Sequence, residues 1–325
     1  MAGTSSAASV SSASHVERER LPDGRYLGIS WYGIPGGLPV LYFHGTPSSR
    51  VEASLIAADC STAGIQLISI DRPGIGSSSP HRSHSVRRWA ADIRALTDRL
   101  SLSLGTNRFG LLTYSGGTPF ALAAARFLPD RIPATAIMAP RVPGAPGVPS
   151  GVLDRDVFRV RRNPRIASWV MRSYRRRLQR SGAPPRRTVV DRLSAGDRAF
   201  AQNNYHWLKE SYLEATRCGV DGIIRDTSLM IWPWSLDLSR IETPVALWQG
   251  THDHSAPVAT SHFLQRRIPN CHLTIANPEG HLTLYKNRAA DALAWLHDQL
   301  APSAALATTA PRPEHGFDHG SDRRS

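Results

Sequence analysis

The stretch that decides the fold is RFGLLTYSGGT, from Arg108 to Thr118. An apolar segment typical of a strand runs into a tight turn, and an alanine-rich helical pattern follows from Pro119 to Phe127. In this arrangement of strand, sharp turn and helix, a serine at the apex of the turn projects beyond the edge of the sheet, where it can act as a nucleophile. Gly116 and Gly117 have no Cβ, so the helix can begin close to the strand with its N–H groups toward the serine. The stretch predicts Ser115 as a nucleophile, with a helix-capping serine as the alternative.

On both sides of this stretch, short apolar segments alternate with helical patterns. The strands are predicted at 25–33, 39–44, 66–70, 109–113, 134–138, 244–249 and 272–276. The helices of the alternating part are predicted at 52–63, 86–102, 119–127, 258–267 and 289–300. This alternation predicts an α/β fold with a mostly parallel sheet covered by helices on both faces. Sites in such sheets lie at the carboxyl ends of the strands.

A serine hydroxyl needs a base to take its proton and an acid to orient that base. Asp253 follows the strand that ends in LWQ, and His281 follows the next strand in the loop NPEGH, where Gly280 permits an unusual turn. The order Ser115, Asp253, His281 is the order that an α/β sheet supplies. We therefore predict these three residues as a catalytic triad.

Other titratable residues lie close by and are less well placed. The alternation of side chains along the turn directs His252 and His254 away from the site, and Glu279 shares its loop with the candidate base. His44 lies at a strand end before a glycine, which favours a structural role. Turn, capping or surface roles are the ordinary alternatives for any one of these residues.

The sequence FHGTP, residues 43–47, closes an earlier predicted strand. Gly45 lets the backbone N–H of Thr46 point into a cavity, and the N–H of Gly116 supplies a second donor. Two such donors can stabilise an oxyanion. We predict Thr46 and Gly116 as the oxyanion hole; a tight turn without a catalytic role is the alternative.

Together these motifs resemble the α/β-hydrolase superfamily over about residues 25–300. The stretch DRPGIGS, residues 71–77, is similar to the D-x-x-G-x-G-x-S turn that follows the fourth strand in that superfamily. The resemblance implies an α/β-hydrolase fold with a helical cap inserted after strand six. Three features depart from the pattern of that superfamily. Thr113 stands where the serine turn usually has its first glycine, and the strand end Met138–Pro140 carries no acid. The HGTP turn resembles that of epoxide hydrolases and haloalkane dehalogenases, which use an aspartate as the nucleophile.

The resemblance divides the chain into a core and a cap. Residues 1–20 are predicted as a disordered leader, 21–142 and 233–300 as the core, 143–232 as the cap and 301–325 as a disordered tail. The cap is predicted to contain further helices at 194–212 and 227–234. Phe200, Tyr205, Trp207, Trp232 and Trp234 are expected to pack in the core or line an apolar pocket.

The predicted cap carries most of the charge. Residues 154–192 contain thirteen arginines and three aspartates, a net charge of +10 out of +13 for the whole chain. An apolar stripe with helical spacing predicts a cap helix with a solvated basic face; the stripe is Ile166, Trp169, Val170, Tyr174 and Leu178. An anionic substrate, an acidic partner and an anionic membrane surface stay open as ligands of the basic face. We see no fold for specific nucleic-acid recognition.

Composition bounds the remaining classes. Among 325 residues, 41% are hydrophobic, enough for a large core. No stretch approaches the ~18 consecutive apolar residues of a transmembrane helix. Three well-separated cysteines, Cys60, Cys218 and Cys271, favour reduced thiols in a cytoplasmic protein. Neither a dinucleotide fingerprint nor a ligand-spaced Cys/His cluster is present, so we expect no cofactor and no metal.

These observations predict a serine hydrolase that cleaves a small carboxylic ester or thioester through an acyl-enzyme. Hydrolysis of a C–C or amide bond and acyl transfer are alternatives that use the same triad. A ligand-binding or partner-binding protein built on a hydrolase scaffold is an alternative of another class, because a fold alone does not imply an activity.

Overall fold

The computed structural model describes residues 16–180 and 192–301. Eight strands of this part form one sheet in the order β1-β2-β4-β3-β5-β6-β7-β8. Strands β3 to β8 run parallel to one another, and β2 pairs antiparallel with both β4 and β1. The strands are β1 Val16–Arg20, β2 Tyr26–Gly33, β3 Leu38–Phe43, β4 Ile65–Ile70, β5 Gly110–Tyr114, β6 Thr135–Met138, β7 Val245–Gly250 and β8 Cys271–Ala276.

Helices cover both faces of the sheet, as the alternation of elements requires. On one face pack α2 Val86–Leu104, α3 Thr118–Phe127 and α9 Val258–Gln265, with Trp89, Phe120 and Phe263 in a common apolar core. On the other face pack α1 Ala57–Thr62, α10 His281–Asn287 and α11 Ala289–Leu300. The predicted α/β-hydrolase fold is confirmed, and the predicted strands and helices of the alternating part are present with shifts of a few residues at their ends. One difference is local: the predicted helix 52–63 consists of a 3-10 segment, Arg50–Ile56, followed by α1.

The predicted disordered leader is wrong for residues 16–20. These residues form β1, which pairs with β2 at the edge of the sheet. The segment VERER shows no apolar pattern because an edge strand presents polar side chains to solvent. Its carboxylates are paired instead: Glu17 accepts a hydrogen bond from Trp31 Nε1 at 2.9 Å, and Glu19 forms an ion pair with Arg99 at 2.8 Å. The rest of the predicted leader and almost all of the predicted tail, residues 302–325, lie outside the described residues.

Between β6 and β7 the described residues form five α-helices, which we call the insert. They are α4 Asp154–Arg162, α5 Pro164–Arg180, α6 Ala195–Asn203, α7 Tyr205–Ala215 and α8 Asp221–Leu229. The predicted helix 194–212 is divided at Asn204 into α6 and α7. The predicted helix 227–234 is wrong, since α8 ends at Leu229 and the tryptophans that follow, Trp232 and Trp234, stack edge-to-face beyond it.

The predicted apolar stripe of α5 is only partly buried. Leu178 is buried, and Tyr174 packs edge-to-face on Tyr212 of α7 with ring centroids 5.1 Å apart. Trp169 is 69% exposed, and Ile166 and Val170 are exposed beside it. The stripe spans two faces of the helix: the face that contacts α7 and α8 takes up Tyr174 and Leu178, and the other three residues lie on the outer face.

No helix among residues 16–180 and 192–301 is both long enough and apolar enough to cross a membrane. The three cysteines are free, with Cys60 buried and Cys218 exposed.

Candidate active site

Ser115 occupies the turn between β5 and α3 and has a backbone φ of 51°. A non-glycine residue adopts this left-handed conformation only where the surrounding structure holds it, and such strain is common at functional sites. Gly117 makes the turn possible, because a Cβ there would lie 2.2 Å from Thr113 Oγ1. The Thr113 hydroxyl donates to the carbonyl of Phe43 at 2.9 Å. A threonine at the usual glycine position is therefore accommodated by a hydrogen bond and by the missing side chain of Gly117.

The structure brings the three predicted triad residues together. His281 Nε2 lies 2.8 Å from Ser115 Oγ, and His281 Nδ1 lies 2.7 Å from Asp253 Oδ2. All three are buried, and Ser115 is 3% exposed. The other oxygen of Asp253 accepts the backbone N–H groups of Ser255 and Ala256, each at 2.8 Å. A fixed carboxylate, a ring and a hydroxyl in one line can relay a proton.

The less favoured candidates lie elsewhere. His252 and His254 are exposed. The Glu279 carboxylate accepts hydrogen bonds from Asn287 Nδ2 at 3.2 and 3.1 Å. Neither histidine nor this carboxylate is a hydrogen-bond partner of the three site residues, and the carboxylate at the His281 ring is that of Asp253.

The turn after β3 lies directly against the serine turn. A Cβ on Gly116 would be 3.1 Å from the backbone N of Thr46, and a Cβ on Gly45 would be 3.5 Å from the Cβ of Ser115. The buried carboxylate of Glu52 fixes this turn by accepting the Gly45 N–H at 2.7 Å and the Tyr42 hydroxyl at 2.6 Å. Burial raises the pKa of Glu52. The backbone of Thr46 thus lies next to Gly116, beside Ser115.

Comparison with known proteins assigns the chain to a family. The sequence profile described as the alpha/beta hydrolase fold matches residues 39–287, more than half of the chain. The chain belongs to this family. A relative from Streptomyces lividans, named a non-heme chloroperoxidase, is 28% identical over 249 residues, which cover 73% of this chain and 82% of the relative.

Solved structures show the same α/β-hydrolase fold. An esterase from Thermogutta terrifontis superposes with a TM-score of 0.64 at 20% identity, covering 87% of this chain and 99% of the esterase. An enol-lactonase from Burkholderia xenovorans LB400 gives a TM-score of 0.63 at 16% identity and covers 88% and 100% of the two chains. Epoxide hydrolase A from Mycobacterium thermoresistibile gives a TM-score of 0.61 at 18% identity and covers 89% of this chain and 98% of the hydrolase.

Sequence reasoning missed Asp197, a residue of α6 in the insert that contacts the candidate site. Its fully buried carboxylate accepts the backbone N–H groups of His281, Leu282 and Thr283 at 2.7, 2.8 and 3.0 Å. These are the first N–H groups of α10, which a carboxylate caps favourably. Gly280 leaves room for that carboxylate, since a Cβ there would lie 2.4 Å from Asp197 Oδ2. The insert therefore holds the backbone of the candidate base, and no local sequence signal marks this contact.

A second group of missed residues joins the insert to the predicted oxyanion hole. Asp226 of α8 pairs with Arg72, with Arg72 Nε 2.7 Å from Asp226 Oδ1 and Arg72 Nη2 2.8 Å from Oδ2. The Thr46 hydroxyl also donates to Asp226. Burial raises the pKa of Asp226, but the Arg72 guanidinium outweighs burial and holds the pKa below its usual value. The pair thus keeps a charged carboxylate beside Thr46.

Two buried histidines near this pair are neutral. Desolvation lowers the pKa of His44 to about 3, helped by the Arg72 guanidinium, and lowers the pKa of His84 to about 3. His44 Nδ1 donates to the Gly45 carbonyl at 2.7 Å. The His84 ring stacks on Phe120, and within the described residues neither of its nitrogens has a hydrogen-bond partner. His44 therefore supports the turn, and its hydrogen-bond partners among the described residues are backbone groups of Gly45 and Arg72.

These histidines predict that stability falls in mild acid. Below pH 6.5 the unfolded chain binds a proton at each histidine while the folded chain does not, until the pH approaches 3. The free energy of unfolding should therefore fall by about 1.4 kcal/mol per pH unit per histidine. Urea unfolding of wild type and His84→Phe at about pH 7 and about pH 5 measures this slope. The variant should lose less stability than wild type, whereas the exposed-site control His206→Gln should behave as wild type; equal slopes for all three proteins would contradict the prediction.

An open groove of about 1200 Å³ lies between the insert and the loop after β4, and it is separate from the candidate site. Its lining includes six arginines and a single acidic residue, Asp221, whereas Ser115, Asp253 and His281 do not line it. The buried serine is therefore not at the floor of this groove.

One cluster in the described part of the chain contains metal-ligand residue types. Donor atoms of His81, His84 and Asp92 lie within 4.8 Å of one another. The Asp92 carboxylate is already bound by the Arg25 guanidinium, with Arg25 Nη1 at 3.0 Å. A guanidinium on the carboxylate repels a metal ion, so these residues favour an ion pair.

Proposed function

We propose that the protein is a serine hydrolase that cleaves a small carboxylic ester or thioester. The observation that carries the proposal is the line of hydrogen-bond distances from Asp253 through His281 to Ser115. Membership of the alpha/beta hydrolase fold family supports it. The esterase and lactonase structures support the fold on which such a reaction is built.

In the proposed reaction Ser115 Oγ attacks the carbonyl carbon while His281 Nε2 takes the hydroxyl proton. The Asp253 carboxylate accepts the Nδ1–H of the ring and stabilises the imidazolium. The N–H groups of Thr46 and Gly116 stabilise the oxyanion. As the intermediate collapses, His281 gives its proton to the leaving alcohol or thiol. Water then attacks the acyl-enzyme with His281 as base, which releases the acid and restores the serine.

The test is covalent labelling with a fluorophosphonate, followed by turnover of p-nitrophenyl esters of graded chain length. Wild type should be labelled and should hydrolyse some of the esters, and Ser115→Ala should do neither. The preferred chain length measures the acyl pocket. Folded wild type that is neither labelled nor active would overturn the proposal and favour the binding-protein alternative. Labelling together with cleavage of amides or C–C bonds, or with acyl transfer, would assign one of the other triad reactions.

We also propose that the insert, within the predicted cap 143–232, controls access to the serine. Ser115 is buried, and the insert contacts the site through Asp197, through Asp226 and through Trp207, whose Nε1 donates to the Glu52 carbonyl at 3.1 Å. Substrate would therefore enter when helices of the insert move, as lids do in many enzymes. A disulfide or cross-link between insert and core that abolishes turnover reversibly would support this role.

Asp197 is proposed as a positioning residue for the base. Asp197→Ala leaves three N–H groups at the start of α10 without their acceptor, so the His281 ring should lose its alignment with Ser115. We expect kcat to fall about 10- to 100-fold, because small misplacements of reacting groups cost this much. KM should change little, since Asp197 contacts the base and not the substrate region.

Steady-state kinetics of Asp197→Ala, Asp197→Asn and Ser194→Ala separate positioning from folding. Ser194 caps the same helix, with its Oγ accepting the Asp197 N–H at 3.2 Å, but among the described hydrogen bonds its side chain has none to α10. Asp197→Asn keeps one acceptor oxygen and should fall between wild type and Asp197→Ala. An equal loss of kcat in Ser194→Ala would mean that stability of α6, and not the contact with α10, determines the effect.

A further inference from the structure

The outer face of α5 combines exposed apolar side chains with a row of arginines. The outer face of α5 consists of six residues that the 3.6-residue helical period places on one side of the helix. They are Ile166, Trp169, Val170, Arg176, Arg177 and Arg180. The apolar residues occupy the first half of the helix, and the arginines the second half. At 1.5 Å per residue, the 17-residue helix presents this face over about 25 Å.

The apolar half is exposed to an unusual degree. Ile166 is 63% exposed, Trp169 69% and Val170 50%, and they are adjacent on the helix surface. The opposite face is occupied: the Tyr212 hydroxyl of α7 donates to the Met171 carbonyl at 3.3 Å, and Leu178 is buried. A contiguous exposed apolar patch with a large aromatic residue marks an interaction surface, whereas scattered apolar residues do not.

The arginine half has no partner of opposite charge in the described structure. Within residues 16–180 and 192–301, none of Arg176, Arg177 and Arg180 is in an ion pair. Arg172, at the edge of the face, has only a loose contact with Asp221 at 3.8 Å. Three neighbouring guanidinium groups that have no ion pair among the described residues complement a surface of phosphate groups.

We propose that the outer face of α5 docks on an anionic phospholipid surface. Trp169, Ile166 and Val170 enter the boundary between headgroups and acyl chains, and the three arginines contact the lipid phosphates. Amphipathic helices with aromatic and aliphatic residues beside basic ones bind membrane interfaces in this manner, and tryptophan favours that depth. This inference is independent of the proposed function, because it uses none of the residues of the candidate active site.

The charge of this face distinguishes lipid from other occupants. A second copy of the chain on a two-fold axis parallel to the helix would bring the two arginine halves together, and like charges at an interface are unfavourable. On a perpendicular axis the helices would be antiparallel, and each arginine half would meet the apolar half of the other copy and gain no anionic partner. Nucleic acid or a small phosphate compound would pair with the arginines but would leave the exposed tryptophan and isoleucine in water. A lipid surface accommodates both halves of the face.

The experiment measures co-sedimentation of the full chain with vesicles of phosphatidylcholine, alone or mixed with phosphatidylglycerol. Wild type should bind the mixed vesicles at least about tenfold more tightly than phosphatidylcholine. Ile166→Ser/Trp169→Ser should weaken binding at least about tenfold, through the lost apolar contact. Arg176→Gln/Arg177→Gln/Arg180→Gln should weaken it on the order of 100-fold, because each basic residue near an anionic surface contributes on the order of tenfold or less.

Matched controls remove the same groups elsewhere. Leu102→Ser removes an apolar side chain that is 89% exposed on α2, and Arg82→Gln/Arg108→Gln/Arg266→Gln removes three exposed charges from the core. Both controls should bind as wild type within about threefold. Lipids brominated on the acyl chains should quench wild-type fluorescence, and Trp169→Phe should lose most of that quenching.

Three outcomes would overturn the proposal. In the first, wild type does not bind the mixed vesicles. In the second, the variants of α5 and their controls bind equally, which would indicate a diffuse effect of net charge. In the third, wild type is a dimer in solution that Ile166→Ser/Trp169→Ser converts to a monomer, and no vesicle binding is seen. The last result would assign the face to a second copy of the chain.

Discussion

Replacement of His281 by glutamine is expected to lower kcat for a p-nitrophenyl ester by about 10⁴-fold. Glutamine can still accept a hydrogen bond near Ser115, but it cannot take the proton that leaves the hydroxyl. The measurement is single-turnover and steady-state kinetics of the wild type and the variant at the same pH. His252→Gln is the matched control, because His252 is exposed two residues after the same strand as Asp253 and should retain wild-type kcat.

The double variant Ser115→Ala/His281→Gln shows whether the two residues act as a unit. Residues that share one proton transfer lose activity in a non-additive way, so the double variant should be no slower than Ser115→Ala within about threefold. Losses that multiply would mean that serine and histidine contribute to separate steps. Such a result would contradict the proposed relay even if each single variant were inactive.

Replacement of Asp226 by alanine is expected to destabilise the fold by about 3–5 kcal/mol. The change leaves the Arg72 guanidinium, which is fully buried, without its carboxylate. It also removes the acceptor of the Thr46 hydroxyl, so activity should fall in the fraction that remains folded. Urea unfolding followed by tryptophan fluorescence gives the free energy of unfolding, and the midpoint urea concentration is compared between variants.

Two further variants show that the uncompensated charge causes this loss. Arg72→Met/Asp226→Ala removes both charges and should recover most of the stability, because an apolar replacement of a buried ion pair is often neutral. Asp221→Ala on the same helix removes an exposed carboxylate and should change stability by no more than about 0.5 kcal/mol. A double variant as unstable as Asp226→Ala would mean that α8 depends on the aspartate for another reason.

The candidate site shows which contacts local sequence can predict. Ser115, Asp253 and His281 could be named because each follows a strand and a turn whose residues are distinctive, and the carboxyl ends of parallel strands share one edge of the sheet. Their catalytic roles stay predictions until the variants are measured. Asp197 and Asp226 could not be named, because an aspartate within a helix of the insert has no local pattern that separates a capping or paired carboxylate from a solvated one.

The misread elements have the same cause. Strand β1 was missed because its register with β2, and not its composition, makes VERER a strand. The apolar residues of α5 were grouped as one stripe because periodicity gives the spacing of side chains but not which face meets a neighbour. The contact of α5 with α7 and α8 divided that stripe, and so exposed Ile166, Trp169 and Val170.

The sequence by itself determined the α/β alternation, the serine turn, and the order of nucleophile, acid and base, because these depend on local periodicity and on turn residues such as Gly116 and Gly280. Only the tertiary structure decided that the insert caps the helix of His281, that Arg72 pairs with Asp226, and that the outer face of α5 is left open. Such contacts join residues that lie far apart in the chain, as Asp197 and His281 do, so they are set by packing between elements and not by the pattern within any one of them.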